Sequence, residues 1–229
     1  MKAIERAKVK YKYVGKLSEG RIAIGKPVNK KSKELKFGFI NANGKEIIPP
    51  VYDTVWDFCC GFARVNKLKD KKSFWGIIDK DGNELVPNIY KIILPLDHKL
   101  LFVQSYEDKV NVKWGAINVE NFKLTLSLIY DWLYPVKEEI IIYRIGQKFG
   151  AIHQDGKEII PPVYDRLKFF SEGLCAAKLN GKWGYINKKN EIVVPFEYKH
   201  VWPFENGIAE VYKNSEYGML ERKDYIDKI

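Results

Sequence analysis

Lys148-Phe-Gly-Ala-Ile-His-Gln-Asp-Gly-Lys-Glu-Ile-Ile-Pro-Pro-Val-Tyr-Asp165 is nearly a copy of Lys36-Phe-Gly-Phe-Ile-Asn-Ala-Asn-Gly-Lys-Glu-Ile-Ile-Pro-Pro-Val-Tyr-Asp53. Duplication on this scale marks a repeat architecture, in which each copy is one small unit that needs its neighbours to bury its apolar face. Outward from this pair, an aromatic-Gly dipeptide recurs at Phe37-Gly38, Trp75-Gly76, Trp114-Gly115, Phe149-Gly150, Trp183-Gly184 and Tyr217-Gly218, in steps of 38, 39, 35, 34 and 34 residues.

The segment from Tyr164 to Pro195 reads as four strands. Tyr164 to Phe170 leads through Ser171-Glu172-Gly173 to Leu174-Cys-Ala-Ala-Lys-Leu179, and Asn180-Gly181 between apolar runs is the strongest short hairpin signal. Trp183-Gly-Tyr-Ile186 follows, then a polar turn and Ile192-Val-Val194. Pro195 is expected to end that strand, because it lacks a ladder donor. Tyr11, Tyr52, Tyr90, Tyr130, Tyr164 and Tyr198 head six units of one repeat domain, 1–229, at about 11–51, 52–89, 90–129, 130–163, 164–197 and 198–229. The last unit is read as complete, with Asp224 to Ile229 standing as its fourth strand. The expected fold class is all-β, with six four-stranded antiparallel repeat units. Six whole units and the lack of a polar capping repeat favour a six-bladed β-propeller, the alternative being an open β superhelix of stacked meanders.

Composition bounds the function. The 229 residues are 46 % hydrophobic and 30 % charged, as in an ordinary globular domain. No run of about 18 apolar residues appears, and the N-terminus lacks a signal-peptide core, so the expectation is a cytoplasmic monomer with no membrane partner. Cys59, Cys60 and Cys175 are odd in number and two are adjacent, which excludes a disulfide framework and implies a reducing compartment. The net charge of +10 favours an acidic partner. Only Arg6, Arg21, Arg64, Arg144, Arg166 and Arg222 among the 39 basic residues carry the bidentate fork that reads bases and phosphates well, so a protein partner is favoured over nucleic acid.

As a set, aromatic-Gly-x-Ile, Asp/Asn-x-x-Gly, Ile-(Ile/Val)-Pro, Tyr-(Asp) and Phe-x-x-Gly-x-Ala, seen from Phe149-Gly150 through Cys175, resemble the bacterial WG repeat (WG-containing β repeat) over about residues 11–229. The resemblance implies repeat-based interaction, with no catalytic residues shared across the family. Phe or Tyr replaces Trp in units one, four and six, and Lys123-Leu-Thr-Leu-Ser127 lacks the usual Pro. Lys99 and Glu139 stand where other units have a turn Gly, so the least regular sheet is expected between about 90 and 143.

Candidate chemistry is sparse. His98, His153 and His200 fall in different units, and no Cys or His pair has zinc spacing. Asp53, Asp131 and Asp165 recur after the unit Tyr, as turn-bonding residues do. The aromatic of each aromatic-Gly pair reads as a packing element rather than a platform for stacking ligands. No catalytic residue, metal or cofactor is expected, and the chain is not expected to be an enzyme.

The informative irregularity is the connection between second and third strands. From Ile24 to Phe37, Val65 to Trp75 and Val103 to Trp114 the separations are 13, 10 and 11 residues, against 6 in each later unit. Long loops on a rigid scaffold are the usual seat of recognition. The first two are basic, with Lys30, Lys31 and Lys33, then Lys67, Lys69, Lys71 and Lys72; the third carries Lys109 beside Glu107 and Asp108. These lysines are the expected contacts to an acidic protein surface. The rivals are a nucleic-acid-associated binder or inhibitor of a nucleic-acid-processing enzyme, and a multivalent, lectin-like binder of small ligands.

Overall fold

The computed structural model describes residues 2–95, 99–106 and 112–228. A helix at Lys2–Lys10 precedes the strands and a 3₁₀-helix at Arg222–Lys228 follows them. Between them lie six antiparallel sheets in chain order, five with four strands and the last with three among the described residues. The chain falls into two compact units, residues 1–94 with 103–106, and residues 95–102 with 107–229.

The first unit holds sheet one (Tyr13–Ser18, Arg21–Pro27, Leu35–Asn41, Glu46–Tyr52) and sheet two (Thr54–Val55, Phe62–Lys69, Lys72–Asp79, Glu84–Tyr90). The second unit holds sheet four (Trp132–Leu133, Ile140–Ile145, Lys148–His153, Glu158–Tyr164) and sheet five (Arg166–Ser171, Leu174–Leu179, Lys182–Asn187, Ile192–Tyr198). It also holds sheet six (His200–Val201, Ile208–Lys213, Glu216–Glu221). The strands of sheet three (Ile92–Pro95, Leu100–Gln104, Trp114–Asn118, Leu124–Tyr130) are divided between the units.

Sheets one and five bury apolar residues on both sides, so sheets stack. In the first unit Ala23, Phe39 and Ile48 of sheet one bury against Ala63, Val65 and Ile78 of sheet two and the intervening Phe58. The alternate residues Ile22, Ile24 and Ile40 face the other way and are covered by Ala7 of the helix and Tyr11. In the second unit Ile140, Ile142, Phe149, Ala151 and Ile160 of sheet four meet Cys175, Ala177 and Ile186 of sheet five. Tyr185 and Val194 of sheet five then meet Val201, Ala209 and Val211 of sheet six and the nearby Phe204. Fully burying one such side chain is worth roughly 1.5–3 kcal/mol.

Polar latches repeat with the same partners in kind. Ser18 Oγ donates to the Phe58 carbonyl at 2.8 Å, and the Glu19 carboxylate accepts from the Cys60 and Gly61 N–H groups at 2.8 and 2.9 Å. Ser171 and Glu172 of sheet five do the same to Phe204 and Gly207, at 2.6 and 3.1 Å. The Ser-Glu-Gly turn of one sheet therefore holds the turn of the next.

The fourth strand departs from expectation. Pro195 does not end it: the strand runs Ile192–Tyr198, and the Tyr assigned to the head of the next unit closes the preceding sheet. Tyr198 lies opposite Trp183, and Tyr164 opposite Phe149, as Tyr52 lies opposite Phe37 and Tyr90 opposite Trp75. Between Trp183↔Tyr198 and Tyr185↔Val194 the register slips, so Pro195, Phe196 and Glu197 arch past Gly184 alone. A bulge leaves N–H groups out of the ladder, and Pro is tolerated there.

That arch explains the glycine. A Cβ on Gly76, Gly115, Gly150 or Gly184 would lie 2.5–2.7 Å from the carbonyl oxygen of Val86, Leu126, Ile160 or Val194, and one on Gly38 would lie closer still to that of Ile48. Gly218 is the exception, with only a Val211 methyl at 3.6 Å. Among the described residues sheet six has no fourth strand to cross it, contrary to the expectation of a complete sixth unit. Residues 222–228 turn away instead: the Arg222 N–H bonds the Gly207 carbonyl at 2.7 Å, its Nε bonds the Glu172 carbonyl at 2.9 Å, and Tyr225 packs beside Leu220 on the sheet-six core.

Part of the stretch expected to be least regular, about 90–143, is regular where it enters sheet four. Sheet four keeps unbroken register from Ile140↔His153 to Ile145↔Lys148. Glu138 and Glu139 adopt φ of 51° and 64° in its turn, Glu139 standing where sheets one, two, five and six place Gly, and Glu139 lies 3.7 Å from Lys99 Nζ while accepting from Gln154 Nε2 at 3.1 Å. The two residues that break the turn pattern thus form a pair with each other.

Gly184→Ala is expected to destabilise the protein by about 1–3 kcal/mol or more, since backbone must shift to admit the methyl. Gly218→Ala should stay within ~0.5 kcal/mol of the parent. Urea unfolding of the two variants measures the difference, and equal losses would contradict the strand-crossing account.

Candidate functional site

Residues flanking the second-to-third strand connections build one recurring arrangement. Lys36 Nζ lies 2.6 Å from Asp53 Oδ1, Lys113 Nζ 2.5 Å from Asp131 Oδ1, and Lys148 Nζ 2.6 Å from Asp165 Oδ1. The second oxygen of each Asp accepts from an amide in the hairpin of the following sheet: Leu68, Gly146 and Gly181, at 2.8, 2.5 and 3.2 Å. Each Asp therefore clamps the ring-bearing strand of one sheet to the hairpin of the next. The Lys113 ammonium and the Gly146 amide hold the Asp131 carboxyl below its usual range, and Lys148 and the Gly181 amide do the same for Asp165.

Around these clamps lie cations without acid partners. Lys30, Lys31 and Lys33 are exposed in the connection between Arg21–Pro27 and Leu35–Asn41, where Lys26 and Lys36 are already paired with Glu46 and Asp53. Lys67, Lys69, Lys71 and Lys72 are exposed on sheet two. They do not sit on a long loop as expected. The extra residues lengthen both strands, and only Asp70 and Lys71, with φ of 51° and 61°, make the turn. Such a two-residue turn matches strand twist and lets the hairpin continue to its tip. Lys67 Nζ is 5.3 Å from the centre of the Tyr52 ring and Lys72 Nζ 5.8 Å from that of Tyr106, cation–π contacts that steer the side chains without neutralising them. Among the described residues none of these seven lysines forms an ion pair. Lys109, with Glu107 and Asp108, lies outside the described residues, as does His98.

In the second unit the same end of sheets four and five forms a cleft of about 530 Å³, lined by Arg144, Lys148, Arg166 and Lys178 around Asp165. Arg166 stands directly opposite Lys178 in the strand register. Facing like charges cost stability. Arg144 Nε is buried and lacks a hydrogen-bond partner among the described residues. The Arg166 guanidinium lies 4.9 Å from the Phe149 ring centre and Lys178 Nζ 5.9 Å from that of Trp183.

Loop length could not reveal this cleft, because its cations sit on strands. The slip between Leu167↔Ala177 and Phe170↔Cys175 also hides the Arg166↔Lys178 pairing from simple counting outward from the turn.

The WG containing repeat model matches residues 37–71, 75–107, 114–149, 149–183 and 183–217. This chain belongs to the WG containing repeat family. Each match begins on the aromatic residue of an aromatic-Gly pair, and the last ends on Tyr217, the sixth. WG-repeat numbering thus runs from ring to ring, so that one sequence repeat takes its first strands from one sheet and its last from the next. No curated protein matches the chain. Among solved structures, a "Crystal structure of the eukaryotic initiation factor" is similar at TM-score 0.43 and 9 % identity, over 91 % of this chain and 54 % of that one. The WG-repeat chain thus spans about half the length of that protein. An "AfRom2 CNH domain" is similar at TM-score 0.33 and 7 % identity, over 91 % and 79 % of the two chains. A "Crystal structure of the tricorn protease" is similar at TM-score 0.26 and 10 % identity, over 90 % and 30 %.

The rings of the WG-repeat dipeptides are mostly packed: Phe149 is 3 % exposed and Trp114 8 %, while Tyr217 in the incomplete sheet is 68 % exposed. Trp114 meets Trp132 edge-on at 5.6 Å. Cys59 and Cys60 are exposed, with Sγ atoms 3.4 Å apart, and Cys175 is buried with its thiol pushed up by desolvation.

Because the Asp131 and Asp165 pKa values are lowered in the folded state, the clamps stabilise fully above the unfolded carboxyl value of about 3.9 and lose that contribution as pH falls through the folded values. Asp131→Asn with Asp165→Asn is expected to lower stability at neutral pH and to flatten its fall below about pH 4. Urea midpoints from pH 7 to 3 measure this, and an acid limb as steep as the parent's would count against the clamps.

Proposed function

We propose that this WG-repeat protein is a non-enzymatic scaffold that binds an acidic protein surface through the cationic ends of its sheets. The supporting observation is charge without partners: Lys30, Lys31, Lys33, Lys67, Lys69, Lys71 and Lys72 are exposed and lack an acid within the described residues, and Arg166 faces Lys178 across a strand pair. Opposed cations held at a strand cost are offset when an anion arrives. Unpaired exposed cations also raise encounter rates with acidic surfaces. Scarcity of Arg at the Lys-rich tips favours a protein surface over base readout. Exposed Cys59 and Cys60, both free thiols, fit a reducing, cytoplasmic setting.

The test is fluorescence anisotropy with labelled poly-glutamate and with mixed-sequence duplex DNA across a salt series. Poly-glutamate is expected to bind, unlabelled DNA to compete poorly, and Lys67→Glu, Lys69→Glu, Lys71→Glu and Lys72→Glu together to weaken binding at least ~10-fold, about 1.4 kcal/mol. Tighter DNA binding with a steep linear fall of log affinity against log salt would replace this reading with phosphate neutralisation.

An open β superhelix rather than a closed β-propeller belongs to the same proposal, supported by Ala7 of the helix and Tyr11, which cover the outward face of sheet one. A closed ring would give a radius of gyration near ~17 Å in small-angle X-ray scattering, the value for a compact chain of this length. A markedly larger value with a skewed distance distribution is expected for the open superhelix, and the compact value would overturn it.

A further inference from the structure

We propose that the free edge of Glu216–Glu221 in sheet six is a docking site for an extended segment of a partner polypeptide carrying the pattern apolar-apolar-Pro-x-x-Tyr. The occupant's chemistry is written five times in this chain, because the equivalent edge of every other sheet is already filled. Four of the filling strands follow the pattern: Ile47-Ile48-Pro49, Leu85-Val86-Pro87, Ile159-Ile160-Pro161 and Val193-Val194-Pro195, each reaching Tyr three residues after its Pro. The fifth, Leu124–Tyr130, keeps the Tyr and the apolar Leu126 with Ser in place of Pro.

Sheet six keeps the receiving half of this contact. Its third strand pairs continuously with Ile208–Lys213 on one side, from Ile208↔Glu221 to Lys213↔Glu216, and is the last strand of its sheet. It retains the aromatic-Gly pair, yet Gly218 has no local need to lack a side chain: a Cβ there would meet only Val211 at 3.6 Å, in a backbone conformation open to any residue. In the other five sheets the corresponding space is taken by a carbonyl of the arching fourth strand. By the register of sheet five, an incoming Tyr would lie opposite Tyr217 and the second apolar residue opposite Met219. Both are now 68 % exposed, an unusual display of apolar surface on an unpaired edge. Added strands gain affinity from main-chain bonds and specificity from side chains that alternate into pockets.

The chain's own residues 222–228 do not fill the edge, being held toward Gly207 and Glu172. A second copy is disfavoured by charge, since symmetric antiparallel pairing of two such strands would set Glu216 of one against Glu221 of the other. A separate polypeptide meets neither obstacle. The inference does not depend on the cationic sheet ends.

The probe is a synthetic peptide of residues 190–198, Asn-Glu-Ile-Val-Val-Pro-Phe-Glu-Tyr, titrated into the full chain by calorimetry with amide hydrogen exchange read at residues 216–221. One-to-one binding with slowed exchange there is expected. A scrambled peptide should not bind, and Gly218→Val should weaken binding at least ~10-fold while leaving the thermal midpoint of the free protein unchanged. Absence of binding up to about 1 mM peptide, or equal binding by Gly218→Val, overturns the proposal. Concentration-dependent dimerisation in sedimentation that Gly218→Val abolishes would assign the edge to a second copy and overturn it as well.

Discussion

The constraint on which the rest depends is the passage of one backbone over another at a single glycine. In each complete sheet the fourth strand bulges across the residue after the ring, and the carbonyl that crosses there leaves no room for a methyl group. The bulge takes prolines out of the ladder, sends the Tyr back opposite the ring, and buries that Tyr between layers, as with Tyr52, Tyr130 and Tyr164 at 5–7 % exposure. Ring, glycine, proline and tyrosine are therefore one geometric device rather than four separate preferences. This explains why they recur together while most other positions vary.

Much of this was legible in the residues because local chemistry dictated it. Hairpin turns such as Asn180-Gly181, the alternation of apolar positions and the ring-to-ring period all report contacts made within a few residues. The strand boundaries at Pro195 and Tyr198 were not legible, since whether a proline ends a strand or rides a bulge is decided by the facing strand. Asp224 to Lys228 misled for a related reason: the sixth unit had the right length for a fourth strand but lacked the apolar-apolar-Pro run that makes one. Of the candidate site, the exposed lysines were readable from composition and spacing. Arg144, Arg166 and Lys178 were not, because their charges converge only through cross-strand register.

The charges divide into two populations with different work. Lys36, Lys113 and Lys148 are committed to aspartates that also grip the next hairpin, so they belong to the joints between layers. Lys30, Lys31, Lys33, Lys67, Lys69, Lys71 and Lys72 are exposed and have no acid partner among the described residues. Architecture and display are thus carried by neighbouring residues of the same type, distinguished by whether the ammonium reaches the Asp that follows the Tyr. Where Lys199 replaces that Asp, at the end of sheet five, the joint toward sheet six lacks its clamp and is bridged instead by Lys168, Ser171, Glu172 and Tyr185.

The hairpin of sheet two has a wider implication. It pairs eight residues with eight, from Phe62↔Asp79 to Lys69↔Lys72, where sheet five pairs six with six. Two rungs per strand is one full pleat, so inward and outward sides stay in phase however many such steps are added. Growth by whole pleats lets a single layer of the stack reach further into solvent, and carry new side chains there, without its neighbours having to repack.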